Sequence, residues 1–281
     1  MLPPSTPADR AHLRSHSGPG AGAALCGAPT SAELVIAPLA FHTLVLERLR
    51  LALALVEVAC EGCGRPPDAR GQHRAACMRS GRVKRRAAAP EAALARVCRE
   101  AGAVVRTNAK LRDMNLGIAA ADERAVEVLA QGLPLRAGAQ LAVDITVRSV
   151  LTGDGTPRPR AADTDGVVAS SARADKEARY PELVAGGRCV LVVLAVETGG
   201  RWSSEAVDFV EELAHARSRD APTVLRWATL VAWRKRWTRL LSVACARAFA
   251  DSLVVPPGDV SSAVRDGAAP ALCDLLGEDR F

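Results

Sequence analysis

The segment QLAVDITV at residues 140–147 alternates its side chains with a period of two, which predicts a β-strand with two different faces. Four apolar residues share one face: Leu141, Val143, Ile145 and Val147. Asp144 and Thr146 share the other face. The segment therefore predicts a sheet that buries its apolar face in a core and holds Asp144 beside whatever covers the opposite face.

The segments around this strand follow the order of an α/β domain. Three have strand composition: 103–108 with a possible extension to 113, 124–130, and the continuous apolar run 189–196. Four have helical caps or spacing: 90–102, 171–180, 203–216 and 223–253. We expect a small mixed sheet flanked by helices over residues 87–220. A long basic and aromatic helix over 221–255 should close the domain, with Trp233 and Trp237 facing the core rather than stacking on bases.

The two ends of the chain and the segment after the N-terminus have different patterns. Residues 1–31 are rich in Pro, Gly, Ser and Ala and show no periodicity, so we expect a disordered tail. Residues 256–281 are expected to form a flexible tail. Between them, apolar residues recur at helical spacing within 32–59, which predicts an amphipathic helix leading into the next motif.

That next motif combines three cysteines and one histidine within 18 residues. The spacing is Cys60-x2-Cys63-x9-His73-x3-Cys77, which offers the ligand number and type of a closed tetrahedral Zn²⁺ site. Since protein would fill all four positions, such a site is structural rather than catalytic. The alternative is a chance grouping of cysteines. The spacing favours a separate CCHC zinc knuckle, which together with the basic residues that follow it spans residues 60–86.

The densest positive cluster of the chain follows this motif directly. RSGRVKRR at 79–86 contains five basic residues and no acid: Arg79, Arg82, Lys84, Arg85 and Arg86. A basic arm beside a zinc knuckle favours phosphate contacts with DNA or RNA. The alternative is a solvated linker or a localisation signal. The net charge of +6 also favours a polyanionic partner.

Two acids and a lysine are candidates for catalysis. Asp144 lies on a predicted strand, and Glu127 lies in the preceding predicted strand, so their carboxylates could together bind a divalent cation such as Mg²⁺. Solvent-facing acids explain the same pattern at least as well. Lys176 shares a helical stripe with Ala172 and Tyr180, so it either points toward the sheet or packs its stem on the core. From the residues alone, the packing role is favoured.

Segments that would direct the chain to a membrane are not expected. No run of about 18 apolar residues is free of charge or proline, and the N-terminus has no apolar signal core. We therefore expect no membrane association and an intracellular location, in the nucleus or cytoplasm. In such a reducing compartment the eight cysteines are better interpreted as thiols and metal ligands than as disulfides.

The order of motifs resembles one known architecture. The motifs are CEGCG (60–64), DARGQHRAAC (68–77), EAALARVCREAGA (91–103), LRDMN (111–115), ERAVEVLAQGLPL (123–135), GAQLAVDITV (138–147), ARADKEARYPEL (172–183) and LVVLAVETGGRW (191–202). This order resembles the C-terminal region of reverse-transcriptase-like non-LTR retroelement (retrotransposon) proteins. In those proteins a CCHC knuckle precedes a restriction-like endonuclease domain. No polymerase motif of the Tyr/Phe-x-Asp-Asp type is present, so the resemblance implies a part of such a protein without its polymerase.

The resemblance implies a PD-(D/E)xK fold, whose paired acids bind Mg²⁺ and whose lysine helps to activate water. Asp144 matches the second acid, and Glu127, or less well Asp113, matches the first. Thr146 stands where the motif has its lysine, so Lys176 from the following helix would take that role, with Glu91 as a supporting acid. Two functions follow: a Mg²⁺-dependent DNA endonuclease, or an inactive relic that binds nucleic acid through its zinc knuckle.

Overall fold

The computed structural model describes residues 6–53, 59–66, 68–185 and 187–254. Its centre is a four-stranded mixed sheet with the spatial order β1-β2-β3-β4, formed by Val104–Lys110, Ala125–Gln131, Gln140–Arg148 and Cys189–Glu197. The first three strands are antiparallel, and β4 runs parallel to β3 with Asp144 opposite Val193. The α/β class, the mixed sheet and the long C-terminal helix expected from the sequence are confirmed.

Helices cover both faces of this sheet. The chain forms α1 (Pro7–Ser15), α2 (Pro38–Arg48), α3 (Gln72–Ala76), α4 (Arg82–Arg85), α5 (Ala88–Glu100), α6 (Val167–Arg179), α7 (Pro181–Ala185), α8 (Ser204–Ser218) and α9 (Arg226–Val254). The main core lies between α5, α8, α9 and the strand face that contains Val143 and Ile145. Helices α6 and α7 pack on the other side of the sheet, where Tyr180 and Leu183 join a second core with Ala142. The parallel β3-α6-β4 connection therefore places α6 over the face that carries Asp144.

The N-terminal segment corrects one expectation. Residues 1–31 were expected to be a disordered tail, but α1 forms at Pro7–Ser15 and buries Ala11 and Ser15. The physical reason is a capping box, in which the Thr6 hydroxyl accepts the Asp9 N–H while the Asp9 carboxylate accepts the Thr6 N–H. Pro7 stands at the first helical position, which it tolerates because it needs no N–H there.

The second helix is shorter than the sequence suggests. The expected helix over 32–59 is observed as α2, which ends at Arg48. Arg50 has a positive φ of 59°, a conformation that breaks the helical path two residues later. Residues 54–58, and the tail expected over 256–281, lie outside the described residues. Among the residues that are described, no helix is both long enough and apolar enough to span a bilayer.

Candidate active site and metal centre

Glu127 lies where strands β2 and β3 stop pairing. The pairs that join the two strands run from Val128–Val143 to Ala130–Leu141. Glu127 comes one residue before this ladder, and its Oε2 atom accepts the Ile145 N–H at 2.6 Å. The carboxylate thus takes the place of a backbone acceptor, which fixes it beside the middle of β3.

Asp144 occupies the most enclosed position of this cluster. Its side chain is fully buried, and Lys176 from α6 forms an ion pair with its Oδ1 atom. The same Lys176 Nζ lies 3.4 Å from Glu127 Oε1. Neither Asp144 oxygen accepts a well-directed hydrogen bond from any described residue. A buried carboxylate in this condition requires positive charge nearby, because desolvation strongly disfavours an unpaired anion.

The electrostatics of the cluster favour a shared proton or cation. Burial raises the pKa of Glu127 well above its ordinary value, and the neighbouring Asp144 carboxylate raises it further. Burial and the charge of Asp144 also raise the pKa of Glu91, at the start of α5, while Lys176 acts in the opposite direction. Two acids that cannot both ionise comfortably are a common sign of a functional site. The carboxylate oxygens of Glu127 and Asp144 are of the ligand type that a hard divalent cation such as Mg²⁺ prefers.

The structure therefore brings together all three residues expected for catalysis. Tyr180 supports the arrangement from the end of α6, since its hydroxyl donates to the Ala125 carbonyl at 2.7 Å and so ties α6 to β2. Asp113, the weaker candidate for the first acid, lies instead in a short turn after β1 with half of its side chain exposed. Its position there separates it from the cluster around Glu127.

The three cysteines and the histidine of the predicted knuckle, Cys60, Cys63, Cys77 and His73, also lie close together. Their ligand atoms all lie within 4.8 Å of one another, and the group could hold a metal ion. Cys60 Sγ lies 3.7 Å from Cys77 Sγ, and Cys63 Sγ lies 3.2 Å from His73 Nε2. Burial would raise the pKa of the Cys60 thiol, but hydrogen bonds, the strongest of them from the Gly62 backbone, lower it to about 6. A low pKa favours the thiolate form, which is the form that binds metals.

Local backbone geometry holds these ligands in place. A Cβ atom on Gly62 would lie 2.2 Å from the backbone carbon of Arg79, so only glycine allows the two ligand-bearing segments to approach. Asp68 accepts the N–H groups of Gln72 and His73 at 2.8 Å each and so caps the start of α3. The sequence interpretation missed Asp68, because it lies four residues before α3 and outside the ordinary N-cap position, which Gly71 occupies.

A second residue missed from the sequence orients the histidine ligand. His73 Nδ1 lies 3.3 Å from the carbonyl oxygen of Gly153, in the loop after β3. Since a carbonyl can only accept a hydrogen bond, Nδ1 carries the proton and Nε2 presents its lone pair to the cysteines. This is the usual outer contact of a metal-binding histidine. No sequence signal links positions 73 and 153, because their proximity depends on the tertiary fold.

The Cys/His motif packs against the rest of the chain. Arg65 donates to the Gly153 carbonyl at 3.1 Å, and Arg74 donates to the Leu253 carbonyl at 2.8 Å. Ala75 is buried in a small core with Phe249 and Leu253. The cluster is therefore attached to the loop after β3 and to the end of α9.

The basic arm requires a correction for two of its five residues. Arg82 and Arg86 are only 8% and 3% exposed. Arg82 donates to the Ser252 carbonyl, and Arg86 donates to the Ala75 carbonyl and the Ser252 hydroxyl. One turn of α4 separates the two arginines, so both point toward α9 and serve packing rather than phosphate binding.

The other three basic residues, Arg79, Lys84 and Arg85, are exposed. They lie beside the Cys/His cluster and on the outer side of α4. These three side chains are accessible to a ligand in solution.

No protein-family model matches the chain, and no curated protein or solved structure matches it significantly.

Proposed function

We propose that this protein is a Mg²⁺-dependent DNA endonuclease of the PD-(D/E)xK type, related in origin to non-LTR retroelement proteins. The observation that carries the proposal is the convergence of Glu127, Asp144 and Lys176 from β2, β3 and α6. Two acids on neighbouring strands and one lysine are the parts that such a site requires. The mixed sheet with a helix crossing over its acidic face supports the same restriction-like arrangement.

In this proposal Glu127 and Asp144 hold the metal ion. The ion supplies a Lewis acid and lowers the pKa of bound water, as divalent ions do in nucleases. Because burial and the Asp144 carboxylate raise the pKa of Glu127, binding of a cation by this acid would compete with its protonation. The Ile145 N–H keeps Oε2 of Glu127 fixed, so Oε1 of Glu127 and the Asp144 carboxylate, which both lie beside Lys176, are the oxygens that would hold the cation.

Lys176 takes the role that an in-strand lysine has in related sites. Its Nζ reaches both carboxylates from α6, although Thr146 occupies the usual strand position. A compact ammonium there can orient the attacking water and neutralise negative charge on the phosphate as the phosphorus–oxygen bond breaks. The attacking water forms the new phosphorus–oxygen bond and loses a proton to solvent, and the leaving oxygen takes up a proton from solvent.

The Cys/His cluster would hold one structural Zn²⁺ in this scheme. Four protein ligands leave no open position for a reactive water. The exposed side chains of Arg79, Lys84 and Arg85 lie next to the cluster and would contact the phosphate backbone of DNA. The cluster therefore supports binding, whereas the acid pair supports chemistry.

Nicking of supercoiled plasmid is the test. Wild-type protein should convert supercoiled DNA to the open circular form with Mg²⁺ or Mn²⁺ and should be inactive in EDTA. Asp144→Ala should lose cleavage and keep DNA affinity, since it removes a metal ligand that is remote in sequence from the exposed basic residues. Asp113→Ala is the matched control and should cleave normally. Wild-type protein that binds DNA without cleaving it in either ion would favour the inactive nucleic-acid-binding relic.

A further inference from the structure

A second group of metal-ligand side chains lies outside the sites described above. His12 and His16 are one helical turn apart at the end of α1, and Glu47 is the penultimate residue of α2. The ligand atoms of all three lie within 4.8 Å of one another. His12 Nδ1 is 3.5 Å from Glu47 Oε1, and His16 Nε2 is 3.2 Å from Glu47 Oε2. The two imidazoles and the carboxylate thus surround one point.

The side chains are buried, and one ring nitrogen lacks a hydrogen-bonding partner. The exposed fractions of the His12, His16 and Glu47 side chains are 9%, 8% and 13%. His16 Nε2 is buried and has no well-directed hydrogen bond to any described residue, although it points at Glu47. An unsatisfied ring nitrogen beside a second imidazole and a carboxylate fits the ligand set of a cation site.

The orientation of His12 supports the same conclusion. Its Nε2 atom lies 3.4 Å from the Arg48 carbonyl oxygen, which can only accept a hydrogen bond. Nε2 therefore carries the proton, and the Nδ1 lone pair faces the Glu47 carboxylate. Two lone-pair bearers that face each other are stabilised by a cation, either a proton or a metal ion, between them. This outer contact to a carbonyl is the arrangement that orients metal-binding histidines.

Two arginines near the cluster, Arg48 and Arg50, could repel a bound cation, but each has other partners. Arg48 Nη1 lies 3.3 Å from His16 Nδ1, so a metal ion at Nε2 requires His16 to carry its proton on Nδ1 and this arginine N–H to turn away. Arg48 would keep the bond from Nη2 to the His16 carbonyl oxygen. Arg50, the other nearby arginine, is paired with Asp9 at 3.0 Å.

Two clefts meet at the cluster and give it access to solvent. One is lined by His16 and Glu47, and the other is lined by His12 and Glu47. We propose that His12, His16 and Glu47 form a second metal site, which binds a divalent transition-metal ion of the Zn²⁺ class and ties α1 to α2. Two imidazoles and one carboxylate are ligands that Zn²⁺ accepts, with a fourth position open to water.

Titration of the metal-free full-length chain with Co²⁺ distinguishes this site from the cysteine cluster. Thiolate ligands give Co²⁺ an intense charge-transfer band, whereas histidine and carboxylate ligands give only weak ligand-field absorption. In excess Mg²⁺, which would occupy the proposed site at Glu127 and Asp144, wild-type protein should bind about two equivalents of Co²⁺, one with the thiolate band and one without it. Cys63→Ser should abolish the band and leave the second equivalent.

Variants of the histidine and glutamate site should lose the other Co²⁺ equivalent, the one that Cys63→Ser keeps. His16→Ala and the near-isosteric Glu47→Gln should lose the Co²⁺ equivalent that gives no thiolate band. Both variants should keep the Co²⁺ equivalent that gives this band. His42→Ala changes an exposed histidine of the same helix α2 and should still bind two equivalents. Retention of two equivalents by both His16→Ala and Glu47→Gln, or saturation of wild-type protein by the thiolate site alone, would overturn the proposal.

Discussion

The acid and lysine cluster and the Cys/His cluster are held in opposite ways. The ligands of the Cys/His cluster lie within residues 60–77 and depend on turns and a helix of five residues. Glu127 and Lys176 are 49 residues apart and are brought together by the sheet and its crossover helix. A buried fold can position charges before an ion arrives, whereas a short loop needs the ion to fix its ligands. The same chain thus contains one site that the fold creates and one that a metal would complete.

The two sites should also differ in their effect on stability. Around Glu127 and Asp144 the fold holds two acids in a dry environment, which disfavours the folded state when no cation is bound. Around Cys60 and His73 a metal ion would add free energy to the folded state. In the proposed function, the two acids that would bind the cation therefore lower the stability of the metal-free protein. At the cysteines, the metal that supports binding would also raise the stability.

The largest expected effect is on cleavage. Lys176→Met keeps most of the packing of the side-chain stem but removes the ammonium, so we expect the nicking rate to fall by about 10²–10⁴-fold. Lys176→Arg should restore little, because a planar guanidinium cannot replace a compact ammonium. Lys110→Met is a matched control, since Lys110 pairs with Glu123 at an exposed position. Normal nicking by Lys176→Met would show that the lysine is a packing residue.

The next effect is loss of metal from the local site. Cys63→Ser or His73→Ala should remove about one zinc per chain and make the segment around residues 60–77 sensitive to protease, because such loops fold only with their ion. Cys26→Ser, which changes an exposed cysteine outside the cluster, should leave both properties unchanged. Elemental analysis and limited proteolysis measure the two changes. Equal zinc content in Cys63→Ser and wild-type protein would contradict the assignment.

A smaller effect concerns stability and pH at the sheet. The folded state raises the pKa of Glu127 above its ordinary value of 4.5, so it binds more protons than the unfolded chain above that pH. The free energy of unfolding should therefore decrease as pH rises from about 4.5 toward the raised pKa. Glu127→Gln should remove this decrease and stabilise the metal-free protein at neutral pH by about 1–3 kcal/mol.

Chemical denaturation of both proteins at several pH values measures this difference. The contribution of Glu197, a second buried acid whose pKa burial raises to about 7, cancels because both proteins contain it. An equal pH dependence of the free energy of unfolding in wild-type protein and Glu127→Gln would mean that folding does not raise the pKa of Glu127.

The smallest effect concerns DNA binding near the cysteines. Replacing Arg79, Lys84 and Arg85 with alanine should reduce the slope of log affinity against log salt by roughly 0.9 per lost phosphate contact. A control variant with three exposed arginines of other regions replaced shows whether the effect is local: Arg106, Arg188 and Arg219. An unchanged slope in the first variant would indicate that the arm does not contact phosphates.

The sequence predicted the sheet well because strand alternation is a local property. The alternation at 140–147 placed Asp144 on the face opposite Val143, as observed, but the partner of Asp144 depended on the register between β2 and β3. Helix α6 begins four residues earlier than the expected 171, after Gly166 with a φ of 68°. Such a start requires a backbone conformation that composition alone does not reveal.

Tertiary packing explains what the sequence could not predict. Charge alone does not distinguish Arg86, which is buried against Phe249 and Ser252, from the exposed Arg85 one residue earlier. The order in α1 was hidden by the Pro- and Gly-rich composition around it, although the Thr6 and Asp9 capping box was a usable signal. His12 and His16 are four residues apart in the sequence, but Glu47, which lies beside both rings, comes from another helix.

Binding of Mn²⁺ to zinc-loaded protein, followed by electron paramagnetic resonance, tests the central claim most directly. Mn²⁺ prefers oxygen ligands, so it reports on the acid pair rather than on the cysteines. We expect one site in wild-type protein and in Lys176→Met. In Asp144→Asn and Glu127→Gln, which each lack a ligand charge, we expect that site to be lost or greatly weakened. Equal Mn²⁺ binding by wild-type protein and Asp144→Asn would contradict the assignment of Glu127 and Asp144 as a shared metal site.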